Sequence, residues 1–285
     1  MKVLVLGSTG MIGHKIYQVL SQNKKFEVFN ASKSNLNCST RLVDLRELRQ
    51  LEQLLENIKP EIVVNASGLL IKDSEENPLD AVKINSVLPL ELNSMSKNRS
   101  FKIIQISTDC VFSGDFGPYN VADVKDAKTV YGQTKSLGEI IDPIHLTVRT
   151  SVIGPDLKFD GGELFNWFMH QSGNVQGYSK SIWSGVTTLE LANCIEHCIL
   201  NDVTGLHHLS SSRGISKYDL LSLLCNYSIE NLFIEKVDGP ITNKVLVSDE
   251  NTCFQIKKPY KLLIEEMMND IVKCQQYPHY RCVTK

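Results

Sequence analysis

The chain has 285 residues, 42% of them hydrophobic and 22% charged, with a formal net charge of −2. That length can bury a large core, in one big domain or two closely joined ones, and the composition is that of an ordinary globular protein. The charge gives no basic footprint of a nucleic-acid binder, no stretch approaches the roughly eighteen apolar residues of a membrane span, and the apolar run in MKVLVLGSTG is too short for a signal peptide, with no cleavage site after it.

Eight cysteines show no CxxC pair and no regular spacing, and read as reduced, scattered, mostly buried thiols. Cys194 and Cys198 lie one helical turn apart, but a structural metal asks for further ligands. A cytoplasmic protein without a metal is the expectation.

VLVL (3–6) is the first of five short aliphatic runs; FEVF (26–29), EIVVN (61–65), KIIQIS (102–107) and LTVR (146–149) are the others. Such runs, bounded by polar residues, predict strands buried on both faces of a parallel sheet. The first leads directly into GSTGMIG, in which Gly7, Gly10 and Gly13 enclose Ser8, Thr9, Met11 and Ile12. A glycine-rich turn between strand and helix brings backbone close to a pyrophosphate, whose charge the helix N-terminus then meets. Ile12, Ile16, Val19 and Leu20 place the following helix. After the second strand, NAD-binding sheets hold the adenosine ribose with Asp or Glu. Here that point reads Asn30, Ala31, Ser32 and Lys33. Lys33 without a carboxylate favours the extra phosphate of NADPH, with NADH as the alternative.

Leu48, Leu51, Leu55 and Ile58 predict a second helix, and Val82, Leu88, Leu92 and Met95 a third over 79–97. KIIQIS ends in Ser107, Thr108 and Asp109, at the strand edge where ligands of open α/β sheets bind. Tyr131 and Lys135 follow four residues apart, so a helix puts them on one face. An ammonium beside a phenol lowers its pKa from ~10 and makes it a usable acid near neutral pH. Gly132 between them costs a helix about 1 kcal/mol relative to Ala. A helix lying against a bulky cofactor accounts for that cost.

The alternation predicts an α/β fold, a Rossmann-like doubly wound parallel sheet, over residues 1–150. Beyond it GPDLKFDGGELFNWF (154–168) reads as a loop leading into a short amphipathic helix. Helices are expected at 188–200, 216–226 and 260–274, with a strand at 205–210. Residues 151–285 are read as a smaller C-terminal substrate-binding lobe, with segments such as 184–210 packing back on the first domain.

GSTGMIG, STDCVFSG (107–114) and YGQTK (131–135), in this order, resemble the extended short-chain dehydrogenase/reductase superfamily. More narrowly they resemble the dTDP-4-dehydrorhamnose reductase family of nucleotide-sugar 4-ketoreductases. NASGLL (65–70), INSVLPLELN (84–93), VRTSVIGP (148–155) and SGVTTLELA (184–192) extend the likeness almost end to end. The resemblance implies that Tyr131 protonates a carbonyl oxygen as hydride arrives, that Lys135 tunes Tyr131 and binds the nicotinamide ribose, and that Thr108 hydrogen-bonds the same oxygen. By the same resemblance the cofactor lies along the 7–13 turn, Ser32 and Lys33, Asp44 and Leu45, Ala66, Ser67 and Gly68, Asn85 and Ser107. Asp109, Cys110, Val111 and Arg149 would face the substrate. Trp183 either stacks on its nucleobase or packs the lobe, and Lys158 and Lys180 are candidates for its diphosphate.

The substrate implied is a nucleoside-diphosphate 4-keto-6-deoxyhexose, dTDP-linked or of the UDP-2-acetamido-2,6-dideoxy type, on the way to a bacterial surface polysaccharide. Two alternatives stand beside it. In GDP-fucose synthase relatives a cysteine at position 110 works with a histidine to epimerise the sugar, but His170 matches that histidine poorly. The regulatory subunit of methionine adenosyltransferase resembles the same family and binds NADP as a partner protein. Dehydration is disfavoured because Cys110, not a second acid, follows Asp109. The loop before Tyr131 departs from the family, with Val121 in place of Glu and Lys125 in place of Pro. A homodimer is left open.

Overall fold

In the computed structural model, which describes residues 1–211, 213–250, 252–274 and 276–280, the five aliphatic runs all become strands of one sheet. Chain order gives β1 (Lys2–Leu6), α1 (Met11–Gln22), β2 (Glu27–Ser32), β3 (Arg41–Leu42), α2 (Leu48–Ile58) and β4 (Ile62–Asn65). There follow α3 (Ile71–Glu76), α4 (Pro78–Ala81), a π-helical segment (Val82–Val87), α5 (Leu88–Arg99), β5 (Lys102–Thr108), a 3-10 turn (Asp109–Val111), α6 (Val130–Leu137) and β6 (Leu146–Thr150). The remainder forms β7 (Val152–Ile153), α7 (Leu164–Met169), β8 (Gly173–Tyr178), β9 (Ser181–Trp183), β10 (Val186–Thr187), α8 (Thr188–Leu200) and β11 (Gly205–His208). The last elements are β12 (Ser210–Ser211), β13 (Ile215–Ser216), α9 (Lys217–Cys225), β14 (Leu232–Val237), β15 (Thr242–Lys244), β16 (Gln255–Ile256) and α10 (Tyr260–Lys273).

Seven strands lie side by side in the order β11-β6-β5-β4-β1-β2-β3. β1 is an interior strand, pairing in parallel with β2 (Val3 opposite Val28) and with β4 (Val3 opposite Ile62). β4–β5 and β5–β6 are also parallel. The chain therefore reverses its direction of travel across the sheet at β1, and such a switch point opens a crevice at the carboxyl ends of the strands. The doubly wound α/β sheet is as expected.

The chain divides into two compact units, one made of Met1–Ser113, Ala122–Thr150 and Ala192–His207, the other of Gly114–Val121, Ser151–Leu191 and His208–Lys285. The first has a core of Leu4, Leu6, Val63, Leu88, Leu92 and Ile103 with the apolar face of α2. Each such fully buried aliphatic side chain contributes about 1.5–3 kcal/mol. The second is built on Phe165, Phe168, Trp183, Leu220, Leu224 and the apolar face of α10.

Three expectations change. The helix read over 79–97 is instead α4, the π-helical segment and α5 in succession. The second unit carries short strands that no aliphatic run announces, such as β8 and β14, paired in parallel from Leu232 opposite Gly173 to Val237 opposite Tyr178. All seven described cysteines are free thiols, but only Cys194 and Cys198 are buried, so "mostly buried" does not hold for them. Among the described residues no helix is long and apolar enough to cross a membrane.

Candidate active site

At the carboxyl end of β1, Gly7 has φ +75°, a left-handed conformation that favours glycine. A Cβ there would meet the Ser67 backbone at 2.8 Å, and one on Gly13 would lie 2.2 Å from the Gly7 carbonyl oxygen. The first turn of α1 therefore sits directly on the loop. Its N-cap, Gly10, makes no side-chain cap, and no acid stands in the first turn. The positive end of the helix and its unbonded N–H groups are left for an anion.

A cleft of about 370 Å³ opens from this turn and is lined by Gly7, Thr9, Gly10, Ser32, Lys33, Asp44, Leu45, Ala66, Ser67 and Gly68, all singled out from the sequence. The Thr9 and Ser32 hydroxyls meet at 2.5 Å across its floor. Other predicted cofactor residues stand behind this lining. Ser8 is fully buried, its hydroxyl donating to Asn30 Oδ1 at 3.3 Å. Met11 and Ile12 open α1, with Met11 buried and Gly13 beneath the turn.

Arg46 was not anticipated, yet it shapes the cleft. Its guanidinium donates to Asp44 through Nε at 2.9 Å and Nη2 at 2.5 Å, and to Asp80 through Nη1 at 2.5 Å. The Asp44 carboxylate is thereby drawn down to about 2, chiefly by its hydrogen bond with Arg46. Two acids in this part of the cleft are matched by Arg46 and Lys33, so the site tolerates a further phosphate that two bare carboxylates would repel.

Thr108 ends β5 and is buried. Its hydroxyl accepts from Cys110 N at 3.1 Å and donates to Asp109 Oδ1 at 3.3 Å. The Thr129 hydroxyl caps α6 by accepting from Gly132 N at 3.1 Å, which fixes where Tyr131 and Lys135 fall on the helix. Lys135 is buried, and its Nζ donates to the Ile106 carbonyl at 2.7 Å. Burial lowers its pKa to about 8, with Glu139 pulling in the opposite sense. A Cβ on Gly68 would lie 4.0 Å from that Nζ, so the ammonium stands beside the loop that lines the cleft. Asn85 ties the two together: Oδ1 accepts from Leu69 N at 2.9 Å, and Nδ2 donates to the Leu69 carbonyl and to Thr134 Oγ1, each at 3.1 Å.

The structure revises several residues. Gly132 is required by protein backbone, not by a cofactor: a Cβ there would lie 2.1 Å from the Cys110 carbonyl oxygen. Val111 is fully buried, so its side chain belongs to the core. Arg149 is also buried, held by Glu139 through Nε at 2.7 Å and Nη2 at 2.9 Å and stacked over Phe112 at 5.3 Å. That makes it an internal ion pair instead of a hand offered to the substrate. Ser107 likewise turns its hydroxyl to Glu139 Oε1 at 2.7 Å. In the second unit Trp183 is buried between Tyr260 and Lys217, which realises the packing alternative. Lys180 pairs with Asp238 at 2.7 Å, and His170 Nδ1 donates to the Asn166 carbonyl oxygen at 2.7 Å beside Phe159. Asp109 is buried, whereas Cys110 keeps partial exposure. Glu139 went unnoticed in the sequence; it lies past the end of α6, so helical spacing from Lys135 does not announce it.

The chain has relatives among known proteins. The family described as RmlD substrate binding domain matches residues 1–231. The chain is 29% identical over 235 residues to the spore coat polysaccharide biosynthesis protein SpsK of Bacillus subtilis (strain 168), covering 80% of this chain and 79% of that protein. It is 23% identical over 296 residues to the dTDP-4-dehydrorhamnose reductase of Aggregatibacter actinomycetemcomitans, covering 96% and 92%. Among solved structures, dTDP-4-dehydrorhamnose reductase (rfbD) from Bacillus anthracis str. Ames in complex with NADP shares the fold, with a TM-score of 0.79 at 18% identity over 94% of this chain and 99% of that one. With more than half its length matched, the chain belongs to the RmlD substrate binding domain family.

Proposed function

We propose that this protein is an NADPH-dependent reductase of a sugar nucleotide, acting on the C4 ketone of a nucleoside-diphosphate 4-keto-6-deoxyhexose. The observation that carries the reading is the buried Lys135, hydrogen-bonded to the end of β5 and standing beside the Gly68 loop on the helix that bears Tyr131. The glycine turn, the open N-terminus of α1 and the Lys33 rim fit a dinucleotide with a 2′-phosphate. When bound, that cofactor supplies the hydride. The protein supplies everything else.

Tyr131 donates its phenolic proton to the ketone oxygen as C4 gains hydride, so the product is the alcohol and the phenolate is reprotonated afterwards. The Lys135 ammonium stabilises that phenolate and lowers the barrier to giving up the proton. The Thr108 hydroxyl turns from Asp109 to the same oxygen and fixes its direction. Oxygen is thus held by two donors in the transition state, where its charge develops. The named relatives act in polysaccharide assembly and on dTDP-4-dehydrorhamnose, which supports a surface-glycan pathway. The nucleoside and the sugar configuration belong to the experiment.

Purified protein mixed with NADPH and dTDP- or UDP-linked 4-keto-6-deoxy sugars is expected to consume NADPH with one of them. Tyr131→Phe should lose at least about a thousandfold in kcat, while its NADPH dissociation constant stays within about twofold. Unchanged turnover in that variant would refute the assignment. NADPH binding without turnover on any substrate would favour the partner-protein role instead. Inverted configuration at C3 or C5 of the product would show Cys110 to be an epimerising acid.

A further inference from the structure

Glu139 is a carboxylate where a carboxylate is expensive. Its side chain is 1% exposed, and an unpaired charge at that depth costs several kcal/mol. Every partner is in place. Oε1 accepts from the Ser107 hydroxyl and from Arg149 Nε, each at 2.7 Å, and Oε2 accepts from Arg149 Nη2 at 2.9 Å and Lys125 Nζ at 3.0 Å. These partners come from the end of β5, from β6 and from the loop ahead of α6. One carboxylate therefore joins the strand that ends in Thr108 to the chain just after the helix that carries Tyr131 and Lys135.

Glu139 also acts on Lys135, four residues before it. Burial alone would raise the Glu139 pKa, but hydrogen bonding and charge from Arg149, with Ser107 and Lys125, hold it below the usual carboxylate range. The group is an anion throughout the neutral range, and it opposes the loss of the Lys135 proton that burial promotes. Lys135 Nζ also meets the Ile106 carbonyl of β5, and Asn85 stands close by, a Cβ on Gly68 lying 3.3 Å from its Oδ1 and 4.0 Å from Nζ; Tyr131 precedes Lys135 by one turn on the same helix. The second buried acid of this unit, Asp109, takes the Thr108 hydroxyl.

We propose that Glu139 is the positioning residue of this site: it ties Ser107, the neighbour of Thr108, to the chain just after α6 and supplies the negative charge that keeps the Lys135 ammonium protonated while Tyr131 works. Lys125 is the adjustable part of the device. Its side chain is 26% exposed, and its charge partly cancels that of Glu139. The proposal rests on the reductase reading for its consequence in catalysis, but not for its test.

The test follows Lys135 directly, by NMR titration of protein containing isotope-labelled lysine, the signal being assigned with Lys135→Arg. The wild-type midpoint is expected near 8. Glu139→Gln keeps the shape and part of the hydrogen bonding but removes the charge, and should lower the midpoint by about one unit. Lys125→Met leaves the anion less screened and should raise it. Glu139→Asp should restore most of the wild-type value. An unmoved or raised midpoint in Glu139→Gln, or a lowered one in Lys125→Met, would overturn the proposal. Should Glu139→Gln fail to fold, the opposite-signed Lys125→Met shift still decides it. In turnover, the alkaline fall of kcat should move to lower pH in Glu139→Gln, with KM for NADPH little changed. If the wild type reduces no 4-keto sugar, the reductase reading fails while the titration stands on its own.

Discussion

Lys33 shows how much a single position can carry. It follows Ser32 at the end of β2, on the rim of the cleft, where the sequence has no acid to hold a ribose hydroxyl. Arg46 is engaged by Asp44 and Asp80, so the cation left to meet a 2′-phosphate is the exposed lysine. Lys33→Ala should weaken NADPH binding about tenfold, on the scale of one charge-assisted contact, and NADH by less than twofold. Titration calorimetry with both cofactors checks it, and an equal loss would remove Lys33 from the phosphate site. Residues of this sort were readable because their chemistry is local: glycines that a turn requires, a lysine at a strand end, a Tyr and Lys one helical turn apart. Arg149 and Val111 were read towards the substrate, and Trp183 was left between two roles, for the converse reason. Whether an arginine or a tryptophan faces ligand or core depends on partners far away in the chain, and Glu139 and Tyr260 cannot be inferred from their neighbours in sequence.

At the scale of elements, the π-helical segment is the feature that periodicity concealed. Val82, Leu88, Leu92 and Met95 continue an apolar stripe, but one wider turn between α4 and α5 re-aims the residues within it. Asn85 gains its three hydrogen bonds there, and the Gly138 backbone packs so closely on it that a Cβ would lie 1.9 Å from the Asn85 carbonyl oxygen. The segment thus holds both the cleft loop and α6. Asn85→Leu fills similar space but leaves the Leu69 N–H without its acceptor, while the Leu69 carbonyl keeps the Ser74 hydroxyl at 3.0 Å. Each buried unpaired group costs about 1–3 kcal/mol. Urea unfolding should show a loss of about 2 kcal/mol, and kcat should fall further than stability alone explains, because α6 loses its brace to the loop. A destabilised variant with unaltered kcat would mean that Asn85 serves the fold only.

For the molecule as a whole, the boundary drawn from the sequence at residue 150 meets a discontinuous unit. Ala192–His207 groups with residues 1–113 and 122–150, and it supplies most of α8 together with β11, the strand beside β6. β6 reads LTVRT and is buried along its whole length, which a bare edge strand would not be. β1, β2, β4, β5 and β6 were legible because each carries an aliphatic run. β11, GLHH, is partly exposed and mixed in character, and its place in the sheet depends on a pairing some sixty residues distant, beyond the reach of pattern. The consequence is measurable. A fragment of residues 1–150 would keep the glycine turn, Tyr131 and Lys135 but expose the N–H and carbonyl row of β6, a template for pairing with other chains. It would also uncover the apolar surface that Ile195, Cys198 and Ile199 of α8 bury. That fragment should aggregate or melt without cooperativity in circular dichroism, and should bind NADPH at least about tenfold more weakly than the full chain. A monomeric fragment with a sharp melt and full affinity would instead establish 1–150 as a self-sufficient domain, with β11 an ornament on its edge.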